Sequence, residues 1–431
     1  MNTFLARRPW RRALLWLGAL APFFYLSYGL ANHWAASRGG VPSVVFEWEQ
    51  RIPFLAWTVL PYWTINVFYG ASLFLARTRH ELDRHGARLL TAQCIAVSCF
   101  VLWPLHFSFV QPEVQGWPAF FFDALRSFDQ PYNQAPSLHI ALAVILWDLY
   151  RRHLHGLPAR AVLHVWTVAI CVSVLTTYQH HAIDIPAGAL LGLLCVWLWP
   201  LERRVALPRA WRLSRDRQRL KLAALYGAGA LFCALLAARW GGAALVLLWG
   251  TVALALVALN YLGFGARGFQ VDHQGRMGWA ARVLLAPYRA AAWLNARWWT
   301  RHAGAAHEVS KGVWLGRLDA APRRQVVSLC AELQSADAPA THCLPVLDLV
   351  VPHPRLLRRA ATAIEARHRS GQPVLVGCAL GYSRSAAAVL CWLLRSGRAA
   401  TLEQALEQVR RARPQIVLSS AWLHAVREAA S

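Results

Sequence analysis

Eight apolar stretches, at about 13–31, 53–75, 89–110, 137–151, 160–178, 184–200, 220–238 and 242–262, constrain this chain more than any other feature. In lipid, segments of this kind satisfy their own backbone only as helices. The fourth and sixth are short, and are expected to extend into the loops before them or to sit shielded by neighbours. With 57% hydrophobic residues and 22 Trp among 431, the composition is too apolar for an ordinary soluble enzyme. The formal charge of +24 would by itself also fit a nucleic-acid binder. Its distribution argues against that partner. Arg7, Arg8, Arg11 and Arg12 precede the first stretch; Arg77, Arg79, Arg84 and Arg88 fill one connection; Arg151, Arg152 and Arg160 fill another; a dense run from Arg203 to Lys221 fills a third. Clusters in alternate connections are the positive-inside pattern, which puts them and both termini on the cytoplasmic side. The first stretch is long enough to be kept as a helix rather than cleaved as a signal peptide. The nine Cys show neither metal-ligand spacing nor a paired framework, so no metal, cofactor or disulfide is predicted.

A different grammar appears near the far end, in Val374-Leu-Val-Gly-Cys-Ala-Leu-Gly-Tyr-Ser-Arg-Ser385. Val374 to Val376 read as a buried strand and Arg384 to Leu394 as an apolar helix, which leaves Cys378 to Ser383 as a tight loop feeding a helix N-terminus. Such a loop gathers backbone N–H groups around an anion, and Gly381 lets it curl closely. The same field favours a thiolate, the nucleophilic form of Cys378. Arg384 offers a bidentate fork for two phosphoryl oxygens. The bland alternatives are a Cys that merely ends a core strand, and a loop that binds phosphate without turnover.

Cys-x5-Arg-Ser between strand and helix resembles the cysteine-dependent protein tyrosine and dual-specificity phosphatases, over roughly Val309 to Ser431. The resemblance implies an α/β domain with Cys378 as nucleophile and Arg384 as phosphate clamp, while Gly381, Ser383 and Ser385 line the phosphate loop. It also implies a general acid about thirty residues upstream, a place that Asp348 fills in Leu344-Pro-Val-Leu-Asp-Leu-Val-Val-Pro352. Arg413-Pro414 and Val313-Trp-Leu-Gly316 match as well. One position departs, for the family usually has His before the nucleophile and this chain has Gly377.

Two loops without cytoplasmic charge character hold further chemistry: Arg126-Ser-Phe-Asp-Gln-Pro-Tyr-Asn-Gln-Ala-Pro-Ser-Leu-His139 and Ser173-Val-Leu-Thr-Thr-Tyr-Gln-His-His-Ala-Ile-Asp184. His180 and Asp184 are four apart, so if a helix runs through them the carboxylate lies one turn below the imidazole and is able to orient it. Pro136-Ser137 suits the cap of the next helix, with His139 in its opening turn. Pro-Ser-x-His followed by His-x3-Asp resembles the type 2 phosphatidic acid phosphatase superfamily, and Ser173, Gln179 and His180 resemble its inositol phosphorylceramide synthase-like branch. The resemblance covers roughly residues 50–200. It implies that His180 attacks phosphorus, Asp184 orients it and His139 protonates the departing oxygen, with Ser137 and Gln179 near the phosphate. The usual upstream Lys-x6-Arg-Pro is absent, and Arg126 is the candidate clamp in its place. Interfacial histidines with no catalytic role are the competing reading.

The expected architecture is therefore a membrane all-α bundle of about eight spans over 1–262 with a six-helix lipid phosphatase-like core, a basic and aromatic linker at 263–302, and an α/β cysteine-phosphatase domain at 303–431. The linker carries Trp293, Trp298 and Trp299 among Arg282, Arg289, Arg297 and Arg301. It reads as an interfacial helix or helix pair broken at Pro287, or else as a plain connection. The expected partners are a membrane, in the multi-pass manner of a bacterial inner-membrane protein, and a phospholipid or other phosphomonoester substrate.

Overall fold

The computed structural model describes residues 8–128, 131–132, 134–202, 206–320, 325–335 and 340–431. Arg7 and Arg203 of the basic clusters, and Asp129, Gln130 and Asn133 of the loop from Arg126 to His139, lie outside them. The chain divides into two compact units, up to Arg209 and from Ala210 onward.

The first unit is helical: α1 (Trp10–Ala36), α2 (Val59–Leu75), α3 (Arg79–Leu102), α4 (Trp117–Phe128), α5 (Leu138–His153), α6 (Leu157–Thr176) and α7 (Asp184–Leu198), before a single turn α8 (Leu207–Ala210). Hydropathy places the third apolar stretch too late, since α3 begins at Arg79 rather than at 89 and ends at Leu102 rather than at 110. The helix buries Arg88 because that charge has partners. Arg88 Nη1 meets Asp148 Oδ2 at 2.8 Å with both side chains fully buried, and its Nε donates to the Trp199 carbonyl at 2.8 Å. Arg151 and Arg152 share the Asp148 carboxylate, and Arg152 also pairs with Glu202. Removing one member of such a buried pair costs about 3–5 kcal/mol, so this network locks α3, α5 and the end of α7 together.

Two glycines bring α7 against α5. A Cβ at Gly188 would come within 2.4 Å of the Ser137 carbonyl oxygen, and one at Gly192 within 2.7 Å of the Ala141 oxygen. Small residues four apart allow this backbone approach between apolar helices. The N-terminus of α7 is thereby held beside that of α5.

The second unit opens with α9 (Arg217–Trp240) and α10 (Leu247–Leu259), whose helical path continues through a π-turn at Asn260–Phe264. Five helical segments of the described chain are long and apolar enough to cross a membrane: Trp10–Ala36, Arg79–Leu102, Leu157–Thr176, Arg217–Trp240 and Gly242–Phe269. Then come α11 (Trp279–Leu284) and α12 (Ala286–Trp299), which meet at Leu285 with Pro287 in the first turn of α12.

The α/β part follows, with β1 (Ala306–Ser310), β2 (Val313–Arg317), β3 (Gln325–Cys330), β4 (Ala340–Val346), α13 (Pro354–His368), β5 (Val374–Cys378), α14 (Arg384–Arg395), α15 (Leu402–Ala412) and α16 (Ser420–Ala430). The sheet order is β1-β2-β5-β3-β4, with β1 antiparallel to β2 and the remaining pairs parallel. The central strands are apolar on both faces, as parallel strands covered on two sides must be. Val374 and Val376 face α13 and α14 with Leu357, Ile364 and Leu390. Leu375 faces the other way, into a smaller cluster with Val326, Leu318 and Ala296 of α12. The linker helix thus covers the sheet with one side while Leu294, Trp298 and Trp299 on the other remain exposed. Composition puts a boundary at 262; compactness puts it at Arg209, because α9 and α10 pack with the chain that follows them.

Candidate active sites

β5 ends at Cys378 and α14 begins at Arg384, so the loop between them stands at the carboxyl edge of the sheet and the amino end of a helix. Gly381 adopts φ +75°, and its N–H donates to Cys378 Sγ at 3.2 Å; Ser385 Oγ lies 3.2 Å from the same sulfur. A side chain at Gly381 would also strike the Gly316 backbone at 2.6 Å. Arg413 braces the loop from behind, donating to the Leu380 carbonyl at 2.9 Å and the Gly304 carbonyl at 3.0 Å.

Arg384 is almost completely buried and held on three sides. Its Nη2 and Nη1 meet the two Glu332 oxygens at 2.6 and 2.9 Å, Nη1 donates to the Val346 carbonyl at 3.0 Å, and Nη2 lies 2.9 Å from Asp348 Oδ1. Burial works against the Glu332 carboxylate, yet the Arg384 fork outweighs it and holds that carboxyl below its usual range. Asp348 goes the other way: burial raises it, Arg384 opposes, and the neighbouring Glu332 charge adds to the rise. Two carboxylates on one guanidinium are thereby pushed in opposite directions, Glu332 down and Asp348 up. The Asp348 carbonyl accepts a 3.0 Å bond from the Tyr261 hydroxyl, carried on the π-turn after α10.

In the first unit, Ser137 caps α5 by accepting from the Ile140 N–H at 3.3 Å. Its hydroxyl proton is then free for His180 Nε2, 3.2 Å away. His180 Nδ1 lies 2.9 Å from Asp184 Oδ2, and a carboxylate only accepts, so Nδ1 carries the proton and Nε2 the lone pair. Asp184 Oδ1 takes the Ala135 N–H at 2.7 Å. His139 stacks on Tyr62 with centroids 4.0 Å apart and donates from Nε2 to the Tyr62 carbonyl at 2.9 Å.

Residues 332–431 match the family model for the dual specificity phosphatase, catalytic domain. The C-terminal unit carries a dual-specificity phosphatase catalytic domain. Among solved structures, human DUSP28 is 25% identical, covering 29% of this chain and 94% of its own, with a TM-score of 0.27. Tk-PTP in the active form is 26% identical over 30% of this chain and 97% of its own, with a TM-score of 0.26. PTPMT1, solved in complex with PI(5)P, is 20% identical over 30% and 95%, with a TM-score of 0.25. No curated protein matches the chain significantly.

Within the dual-specificity phosphatase domain, Cys378, Gly381, Arg384, Ser385 and Asp348 form one cluster. Ser383 points elsewhere, its hydroxyl donating to the Val417 carbonyl at 2.7 Å. The Gly377 position has a steric origin: a Cβ there would lie 2.7 Å from Leu318 Cδ2 in the core behind the loop. Glu332, the buried partner of Arg384, is the residue that sequence reasoning missed; a lone carboxylate closing the run from Val326 to Ala331 was the available signal.

In the first unit, Ser137, His180, Asp184 and His139 gather at the paired helix ends, whereas Gln179 contributes its backbone carbonyl to Gln134 at 3.0 Å. Arg126 pairs with Asp123 at 3.3 Å on an exposed face of α4, a helix not anticipated from the sequence. Ser173 bonds back to Ile170 within its own helix. The second histidine of the Gln-His-His run is spoken for: His181 Nδ1 meets Glu49 Oε2 at 2.9 Å, and its Nε2 accepts from the Ser108 N–H at 3.1 Å. Both of its nitrogens are used in holding loops, so His180 alone of the two offers a lone pair beside Ser137.

Proposed function

We propose that this chain is an integral membrane phosphatase with two phosphoryl-transfer sites, a Cys378 phosphomonoesterase on the cytoplasmic face and a His180 lipid phosphatase or phosphotransferase of the type 2 phosphatidic acid phosphatase kind on the outer face, both acting on phospholipids. The observation that carries the reading is the convergence of Cys378, Arg384, Glu332 and Asp348 on one loop. Cys378 Sγ attacks phosphorus as the bond to the leaving oxygen breaks, and Asp348 gives that oxygen its proton. Water then attacks the cysteinyl phosphate, Asp348 takes a proton from it, and the P–S bond breaks to return thiolate and free phosphate. The Asp184–His180–Ser137 chain supports a second nucleophile, with His180 Nε2 attacking phosphorus and His139, whose Nε2–H is held by the Tyr62 carbonyl, protonating the departing oxygen from Nδ1 of its charged ring. The arginine clusters support cytoplasmic termini and an outward-facing His180, with the shorter α2, α5 and α7 completing eight spans.

A phospholipid panel assayed on the full chain, with His180→Ala and Cys378→Ser made separately, tests this. Each change should remove one activity and spare the other. Turnover of phosphopeptides in preference to phospholipids would favour a membrane-anchored protein phosphatase instead, and an inert Cys378 loop that still binds phosphate would make the domain a binding module.

A further inference from the structure

Cys378 opens into a cavity of 460 Å³, within the usual size of a small-molecule site. The dual-specificity phosphatase domain supplies only part of its wall. Arg289, Trp293 and Arg297 come from α12, outside the residues that match the family model, and Arg317, Asp319 and Gln334 complete the polar rim. The charges do not cancel. Asp319 serves both Arg297, at 2.9 Å, and Arg317, at 3.0 Å. Among the described residues the acceptors of Arg289 are neutral: its Nε donates to the Glu332 carbonyl at 3.2 Å and its Nη2 to Gln334 Oε1 at 2.9 Å. Among the described residues, three guanidiniums therefore line the cavity against the carboxylate of Asp319. In the proposed mechanism the scissile phosphate falls to the amides of the loop that carries Cys378, while Arg384 is buried on Glu332, Val346 and Asp348 and is not part of this wall. The surplus positive charge is left for another group.

The rest of the wall is apolar. Trp293 is half-exposed beside Ala290 and Leu333, and the same helix turns Trp298 and Trp299 outward, more than 60% exposed. Tryptophans interleaved with arginines suit the headgroup level of an anionic membrane.

Resting on the phosphatase reading above, we infer that α12 supplies a second anion subsite centred on Arg289, and that the substrate of Cys378 is a lipid phosphomonoester whose headgroup carries a further negative charge, such as a diester phosphate, between the scissile phosphate and the acyl chains. Arg289 takes that charge, Trp293 covers the headgroup, and the outer face of α12 keeps the acyl chains in the bilayer.

The test uses the full chain in mixed micelles with His180→Ala, so that the other site contributes nothing. Three probes are compared: a phosphatidylinositol monophosphate, which has both a monoester and a diester phosphate; phosphatidic acid, which has the monoester alone; and para-nitrophenyl phosphate. Arg289→Gln should lower kcat/KM for the two-phosphate lipid roughly tenfold more than for phosphatidic acid, as expected for one charged hydrogen bond, mainly through KM. Arg289→Lys should recover part of the loss. An equal fall on all three probes would mean a structural role, and no fall on any would mean no role; either overturns the inference alone. A parent chain inert toward all three overturns the phosphatase reading and this inference with it. Faster turnover of an acidic phosphopeptide than of the two-phosphate lipid, with the same Arg289 dependence, overturns the lipid assignment.

Discussion

Placing the family's histidine at position 377 should damage this protein rather than improve it. The Cβ of Gly377→His would sit 2.7 Å from Leu318 Cδ2, where carbon atoms need about 3.5–4.0 Å. Leu318 is itself buried between the sheet and α12, so it has little room to yield. Overpacking of this kind costs about 1–3 kcal/mol. In a unit of this size each kcal/mol moves the midpoint by about 2–4 °C, so the expected fall in Tm is roughly 2–12 °C. Leu318→Ala alone should cost about 2–5 kcal/mol through the cavity it leaves. Together the two changes should cost at least ~1 kcal/mol less than their sum, because the imidazole occupies the space that leucine vacates. Thermal unfolding of the full chain in detergent, with para-nitrophenyl phosphate turnover in a His180→Ala background, reads all four corners of the cycle. Additive losses, or a Gly377→His chain with the parent's Tm and activity, would refute the packing argument.

Three further changes probe the sites. Glu332→Gln removes half of a buried bidentate pair and should destabilise the phosphatase domain by about 3–5 kcal/mol, with at least a tenfold loss of Cys378 turnover measured below the unfolding temperature. Because burial raises Asp348, its proton should persist above the ordinary carboxylate range and the falling limb of the pH profile should lie correspondingly high. Asp348→Asn should abolish that limb, and Glu332→Gln should move it toward acid, since the charge favouring protonation is gone while Arg384 remains. Gly188→Ala forces a methyl to 2.4 Å from the Ser137 carbonyl and should push α7 off α5, cutting phosphatidic acid turnover by His180 at least tenfold while Cys378 turnover is kept.

What the sequence disclosed was local. The run from Val374 to Ser385 carries its strand, loop and helix within twelve neighbouring positions, and the structure has β5, the loop and α14 there. Ser137 as a cap and the His180–Asp184 pair were legible for the same reason, although the helix that their spacing presumed begins only at Asp184. Contacts made across long separations were not. Glu332 stands 52 positions from Arg384, and Tyr261 stands 87 from Asp348. The absence of a side chain at 377 is intelligible only once Leu318 is known to lie behind it. Hydropathy misjudged α3, because a scale that scores Arg88 as a surface residue has no knowledge of Asp148.

On the proposed reading, the bond from Tyr261 to the Asp348 carbonyl would make bilayer thickness an input to catalysis. Arg219 of α9 satisfies the carbonyls of Tyr261 and Asn260 in the π-turn, so the tyrosine is fastened to both arms of an apolar hairpin. A hairpin that is too long or too short for its bilayer tilts or shifts to match it. Here such a tilt would carry the proton donor with it. Turnover by Cys378 in reconstituted vesicles should therefore rise and fall with the acyl-chain length of the host lipid, and Tyr261→Phe should flatten that dependence; a profile independent of chain length in both proteins would show that the tether transmits nothing.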